Sequence, residues 1–232
     1  MESIDKVKGT FDMKNREAAK PAVPDAVIKR LPRYHRYLGE LLAEGRLRIS
    51  SAELSKIMNV TASQIRQDLN CFGGFGQQGY GYNVSELRSE IGTILGVDKQ
   101  NKAVLIGAGN LGHAIAVHIN FEKYGCKLCG IFDSDERMIG QTIAGTKILS
   151  VERLSEFCRQ NQPKMAILCI PKSAAPQLCE QLIALGVKAF WNFSHYDINL
   201  EHNDIIVENV HLGDSLLALN YGIVNAVNKT EE

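Results

Sequence analysis

A chain of 232 residues, 45% hydrophobic and 22% charged, has the size and balance of one large or two modest globular domains. No apolar run approaches the roughly 18 residues of a membrane span, and the polar opening MESIDKVKGTFDMKNREAAKPAVPD has no signal-peptide core, so a cytoplasmic location with reduced cysteines is expected. The formal net charge is zero, but the segment from Val27 to Tyr82 holds eight bases against four acids, an asymmetry that points to a nucleic-acid-binding part.

In chain order, residues 1–24 read as a disordered lead-in closed by Pro21 and Pro24. Residues 27–43 carry Ile28, Leu31, Tyr34, Leu38, Leu41 and Leu42 at helical steps, with Pro32 near the start and Gly45 at the end. Ser50 or Ser51 caps a second helix, and Thr61 caps a third after a tight turn at Asn59-Val60. The third helix, ASQIRQDLNCF, keeps Ile65, Leu69 and Phe72 inside. The run GGFGQQGYGYNV, with five glycines in residues 73–81, has the conformational freedom of a tight hairpin. A fourth helix spans residues 84–95, and GVDKQNK is a linker.

Three helices followed by a glycine-rich hairpin suggest a winged helix-turn-helix over residues 25–96. Ser63, Gln64 and Gln67 on the third helix, with Arg66, are placed to read base edges in a major groove. Lys29, Arg30, Arg33 and Arg36 are expected to hold phosphates. Ser51, Tyr80 and the neutral wing-tip pair Gln77 and Gln78 complete the expected DNA contacts. The plainer alternative is a three-helix interaction domain with a solvated basic face.

From Lys102 onward, strands at residues 103–106, 128–132, 165–170, 188–192 and 205–207 alternate with helices at 110–123, 134–140, 151–160, 173–185 and 213–226. Such alternation implies a parallel, doubly wound α/β sheet over residues 97–210. The first strand leads into Gly107-Ala108-Gly109-Asn110-Leu111-Gly112 and then a helix, the context that a dinucleotide-binding GxGxxG requires. Asp133 ends the second strand twenty-one positions after Gly112, where a carboxylate binds the adenosine ribose and disfavours a 2′-phosphate, so NADH/NAD+ is the expected cofactor. The later strand ends, Cys169-Ile170-Pro171 and Asn192-Phe193-Ser194, should flank the nicotinamide half.

No catalytic or metal-binding residues are assigned. His195, His202 and His211 show no evident orienting partner, and a surface or supporting place is expected for His195. Cys126 and Cys129 lie at the entry of a strand, not at a helix start, so burial is expected in place of dithiol chemistry, and no second CxxC completes a zinc site. Two rival functions are a small NAD-dependent dehydrogenase with an N-terminal dimerisation domain, and a ligand-binding subunit that holds another nucleotide such as coenzyme A.

Taken together, KRLPRYHRYL, ISSAELS, SQIRQDLNCFGGFGQQGYGYNV, LIGAGNLGHAIA, the FD at 132–133 and NFS closely resemble the Rex family of redox-sensing transcriptional repressors, over nearly all of residues 25–225. The resemblance implies a homodimer that binds palindromic operators near genes of fermentative and respiratory metabolism and is released by NADH. It also implies that the helix within residues 211–232 is exchanged between subunits. Some family members carry Tyr where this chain has His118, and Asp where it has His211. The coupling proposed for those groups is therefore not carried over.

Overall fold

The computed structural model describes residues 23–73, 80–200, 202 and 204–228. The expected lead-in, save Val23 and Pro24, and the wing tip with Gln77 and Gln78 lie outside the described residues. The chain divides into two compact units between Ile91 and Gly92.

In the first unit, one helix was expected over residues 27–43, but the chain forms two: α1 (Asp25–Ile28) and α2 (Leu31–Ala43). Pro32 sits in the first turn of α2, where its missing N–H is harmless; placed mid-helix it would remove a hydrogen bond. After β1 (Arg48–Ile49), Ser50 opens α3 (Ser51–Met58) with a reciprocal cap: its hydroxyl accepts from the Glu53 N–H, and Glu53 accepts from the Ser50 N–H. Asn59 ends α3 in the left-handed conformation (φ 52°), and Thr61 caps α4 (Ala62–Asn70). This short turn sets α3 and α4 as a helix-turn-helix pair. The second strand, β2 (Tyr82–Asn83), pairs antiparallel with β1 and runs into α5 (Val84–Ile94). Tyr34, Leu38, Leu54, Met58, Ile65 and Leu87 fill the core of this unit.

One buried charge organises that core. Asp68 on α4 is fully buried and accepts from Arg30 Nε and a second guanidinium nitrogen at 2.7 Å each, from Tyr34 Oη at 2.9 Å and from Gln64 Nε2 at 2.8 Å. Burial pushes the Asp68 carboxyl up, but the hydrogen bonds from Arg30, Gln64 and Tyr34 outweigh it and hold the carboxyl below its ordinary value. Burial, then the bond to Asp68, pushes the Tyr34 phenol well up.

The second unit is a seven-stranded sheet of order β5-β6-β4-β3-β7-β8-β9. The strands are β3 (Asn101–Ile106), β4 (Cys126–Asp133), β5 (Thr142–Ile143), β6 (Thr146–Ser150), β7 (Met165–Leu168), β8 (Ala189–Asn192) and β9 (Ile206–Asn209). All pair in parallel except the edge strand β5. The helices are α6 (Asn110–His118), α7 (Leu154–Asn161), α8 (Ala175–Ala184) and α9 (Leu212–Asn228). Leu154, Cys158, Ala175, Cys179 and Leu182 of α7 and α8 cover one sheet face, and Ile115 and Ala116 of α6 pack against the other. No helix among the described residues is long and apolar enough to cross a membrane.

The sequence reading erred between residues 134 and 150. The helix expected at 134–140 is a series of turns, because the Asp133 and Asp135 carboxylates accept local backbone N–H groups from Asp135 and Arg137. A two-residue hairpin with positive φ at Ala144 and Gly145 then joins two strands not foreseen, β5 and β6. The helix expected at 110–123 ends at His118, and a 3₁₀ turn, Phe121–Tyr124, follows under an Asn120 cap. The strand expected at 165–170 stops at Leu168, before Pro171.

α9 exposes Leu212, Leu216, Leu217, Leu219, Ile223 and Val224. A stripe of this kind is unfavourable in water and calls for a partner surface.

Removing the buried carboxylate with Asp68→Ala strands the Arg30 guanidinium and should cost about 3 kcal/mol of stability. Because the folded Asp68 carboxyl is held down, its contribution is present above the ordinary carboxylate range and is lost as pH falls through the folded value. Urea unfolding of wild type and variant at neutral pH and below about pH 4 checks both statements: the gap between them should narrow in acid.

Candidate functional site

In the second unit the chain leaves β3 toward β4 on one side and returns to β7 on the other, so the carboxyl edge opens into a crevice at the switch point. The Gly107 N–H donates to Phe132 O and the Cys169 N–H to Ile106 O, both at 2.8 Å, which pins the loop after β3 between its two neighbours. Gly107 has φ +94°, and a Cβ there would collide with the Cys169 carbonyl. A Cβ at Gly112 would collide with the Gly107 carbonyl, so the start of α6 lies directly on the loop. Gly109 differs: a Cβ there meets nothing within 4 Å. Its side faces open space at the N-terminus of α6, where free N–H groups and the helix dipole favour an anion.

Asp133 closes the loop from the second strand. Its Oδ2 accepts from the Ala108 N–H at 2.6 Å and its Oδ1 from the Asp135 N–H at 2.8 Å, leaving further lone pairs for a ligand. A cleft of about 530 Å³ runs along this edge, lined by Gly107, Gly109, Asp133, Cys169, Ile170 and Pro171 among the expected residues. Burial pushes the Cys169 thiol up to about 12, so it lines the cleft as an apolar group.

The cleft is also lined by Ser134, Val151, Glu152, Gln177, Leu178 and Gln181, which the sequence reading missed. Val151 and Glu152 follow β6, the unforeseen strand, and would have been found by extending the rule of strand carboxyl ends to it. Ala108 is buried beneath the loop, while Asn110 and Leu111 are exposed in the first turn of α6; none of the three lines the cleft. Asn192, Phe193 and Ser194 lie one strand further along and do not line it either. Asn192 has an architectural role: buried, it donates to Tyr196 O and Asn209 Oδ1 and accepts from the Ser194 N–H and hydroxyl. Phe193 packs edge-on against Trp191 at 4.9 Å.

The histidines correct the sequence reading, since they do have partners. His195 and His211 join through their Nδ1 atoms at 2.6 Å, and His202 Nε2 lies 2.6 Å from Glu180. All six cysteines are free thiols; burial pushes Cys126 and Cys129 up, against the dithiol reading. Among the described residues no cluster of three or more metal-ligating side chains occurs.

On the first unit, α4 exposes Ser63, Arg66 and Gln67, and Lys29, Arg33 and Arg36 are exposed on α1 and α2 and the turn between them. Arg66 donates to Ser51 Oγ at 3.2 Å, which steadies its guanidinium at the start of α3. Arg33 donates to Met58 O, Arg36 lies over the Tyr37 ring, and Arg48 donates to the carbonyl of exposed Tyr80. Two expected DNA contacts turn inward instead. Arg30 and Gln64 spend their side chains on Asp68, because a buried carboxylate demands donors.

Residues 22–70 match a family described as putative DNA-binding protein N-terminus, and residues 98–196 match one described as CoA binding domain. Curated relatives named redox-sensing transcriptional repressor Rex include one from Thermoanaerobacter sp. (strain X514), 54% identical over 87% of this chain and 90% of the relative. Another, from Clostridium perfringens (strain SM101 / Type A), is 51% identical over 87% of this chain and 95% of its own. Among solved structures, a crystal structure of RSP in complex with beta-NAD+ and operator DNA aligns at TM-score 0.83 and 51% identity, covering 91% of this chain and 97% of that one. A crystal structure of RSP in complex with beta-NADH aligns at TM-score 0.83 and 48% identity, covering 92% of this chain and all of that one.

The glycines of the loop should separate on substitution. Gly112→Ala should lower the melting temperature by several degrees, since the clash is with backbone. Gly109→Val should melt near wild type yet lose at least about tenfold in dinucleotide affinity, because it fills the space where the helix N-terminus receives an anion. Thermal unfolding and dinucleotide titration check the pair.

Proposed function

The chain belongs to the Rex family of redox-sensing transcriptional repressors, and from that premise we propose that it represses by binding operator DNA through its N-terminal unit and lets go when NADH fills the cleft. The observation that carries this reading is the presence, in one chain, of an open anion-receiving helix terminus beside Asp133 and of a helix-turn-helix whose α4 exposes Ser63, Arg66 and Gln67. A small dehydrogenase gives no account of the second feature.

In this reading residues 25–96 form the DNA-binding domain, residues 97–210 the dinucleotide domain and residues 211–232 the C-terminal helix and tail. The N–H groups around Gly109 hold the pyrophosphate, and Asp133 binds the adenosine ribose. Glu152, a second carboxylate in the cleft, adds to the charge that a 2′-phosphate would meet. When bound, NADH supplies an uncharged nicotinamide ring where NAD+ brings a cationic one. Ile170 and Pro171, which line the cleft, offer apolar surface that favours the uncharged form.

The protein acts as a cytoplasmic homodimer, with the exposed apolar stripe of α9 exchanged onto the partner subunit. Two arrangements of the dimer, one matching the spacing of operator half-sites and one not, make the switch. Moving the population from 1:99 to 99:1 takes about 5.5 kcal/mol of differential affinity, shared between two bound ligands.

Arg66→Ala should cost about 1–3 kcal/mol of specific operator binding while leaving NADH affinity unchanged. Asp133→Ala should lose about tenfold or more in NADH affinity and still bind operator, now with a weakened NADH response. Mobility-shift titrations with the operator duplex of the RSP complex check both. Loss of operator binding as the primary defect of Asp133→Ala would refute the division of roles.

A further inference from the structure

We propose that Asp135 is a positioning residue for the choice between NADH and NADPH: it holds the Arg137 guanidinium away from the adenosine ribose. The inference deepens the reading of the cleft as a dinucleotide site with Asp133 on that ribose, and rests on it.

NADPH differs from NADH by a phosphate on the ribose 2′-oxygen. A carboxylate at the end of the second strand favours the bare 2′-hydroxyl, and an arginine close by favours the 2′-phosphate. This chain carries both. Arg137 lies four positions after Asp133 and is the one lysine or arginine between Asp133 and Thr146. The cleft beside Asp133 is lined by Ser134 and by Glu152 of the neighbouring strand end, while neither Arg137 nor Arg153 lines it. An Arg137 turned toward the ribose would offset the repulsion that Asp133 and Glu152 exert on a 2′-phosphate.

The structure shows where that guanidinium goes instead. Arg137 Nε donates to Asp135 Oδ1 at 3.0 Å and Oδ2 at 3.1 Å, and Nη2 donates to Oδ2 at 2.7 Å. Oδ1 also accepts from the Arg137 N–H at 2.9 Å, so one carboxylate holds both the backbone and the side chain of the same residue. The turn around the pair is fixed at both ends. The Asp135 N–H donates to Asp133 Oδ1 at 2.8 Å, and the Arg137 carbonyl accepts from Gln141 Nε2 at 2.6 Å.

The Arg137 side chain is 89% exposed and that of Asp135 36%. Exposed ion pairs are usually weak because two long side chains must be ordered to make them. Here the turn has already ordered the carboxylate, and both nitrogens of one edge of the guanidinium meet it, the geometry in which such pairs are strongest. The bonds from the Arg137 side chain, then from its backbone, hold the Asp135 carboxyl down to about 2, so the pair stays charged at neutral pH.

The test is calorimetric titration of the full chain with NADH and with NADPH at about 0.15 M salt, where charges farther apart than about 8 Å are largely screened. It compares wild type, Asp135→Asn, Arg137→Gln and the double variant. Asparagine keeps an oxygen for the Arg137 N–H, and with it the turn, but gives up the charge that holds the guanidinium. Asp135→Asn should bind NADPH about fivefold more tightly, the size of an exposed charge pair, with NADH affinity within about twofold of wild type. Arg137→Gln alone should leave both affinities within about twofold, since the arginine is already engaged, and in the double variant the NADPH gain should fall below about twofold. A gain that survives in the double variant means that Asp135 acts by its charge alone, and overturns the proposal. So does the absence of a gain in Asp135→Asn that melts like wild type. If Asp135→Asn melts lower, Asp135→Ser, which also keeps an oxygen for the turn, takes its place with the same expectations. Wild type that binds neither dinucleotide removes the reading of the cleft itself, whereas wild type that binds NADH beside variants with no NADPH gain removes only the role of Asp135.

Discussion

The second unit depends on the absence of a side chain at Gly112. Because nothing larger than hydrogen fits against the Gly107 carbonyl, α6 can begin directly on the loop after β3, with its N-terminus toward the crevice. Gly107 turns with positive φ, and a Cβ there would collide with the Cys169 carbonyl of the neighbouring strand end. Asp133 completes the arrangement by accepting from the Ala108 N–H. Two close approaches and one hydrogen bond thus place an open helix terminus, the Asp133 carboxylate and two strand ends around one cleft.

The first unit is organised by a charge where the second is organised by contact. Asp68 is the only buried acid among the described residues, and its four donors come from α2, from the turn before it and from α4 itself. This ties the exposed helix of the helix-turn-helix to the first helices, which fixes the direction in which Ser63, Arg66 and Gln67 project. Charge counting treated Asp68 as one acid subtracted from eight bases. In the fold it claims Arg30 and Gln64, so the surface offered to phosphate and base is smaller than the sequence suggests.

Features that repeat over many residues, or that depend on a residue type with one special property, were legible in the sequence. The helical periodicities of α2 to α5, a cap at Ser50 or Ser51, the Thr61 cap, the GxGxxG loop and the place of Asp133 at the end of a strand fall in this class. Features set by local hydrogen bonding or by contacts distant in sequence were not. The turns after Asp133 contain enough apolar residues to pass for a helix, yet the aspartate side chains outcompete the helical pattern for backbone N–H groups. With β5 and β6 went Val151 and Glu152, both of which line the cleft. The His195–His211 pair joins residues sixteen apart, brought together by β8 and β9 lying side by side, and no periodicity announces it.

The central claim is that the dinucleotide is a signal here and not a reagent. The most direct measurement is the fluorescence anisotropy of labelled operator duplex bound to the wild-type protein, titrated in parallel with NADH, NAD+ and NADPH. The account predicts saturable release by NADH, little or none by NAD+ at the same concentration, a weaker response to NADPH, and NADH recovered unoxidised. Equal release by NADH and NAD+, or operator binding indifferent to all three, would contradict it.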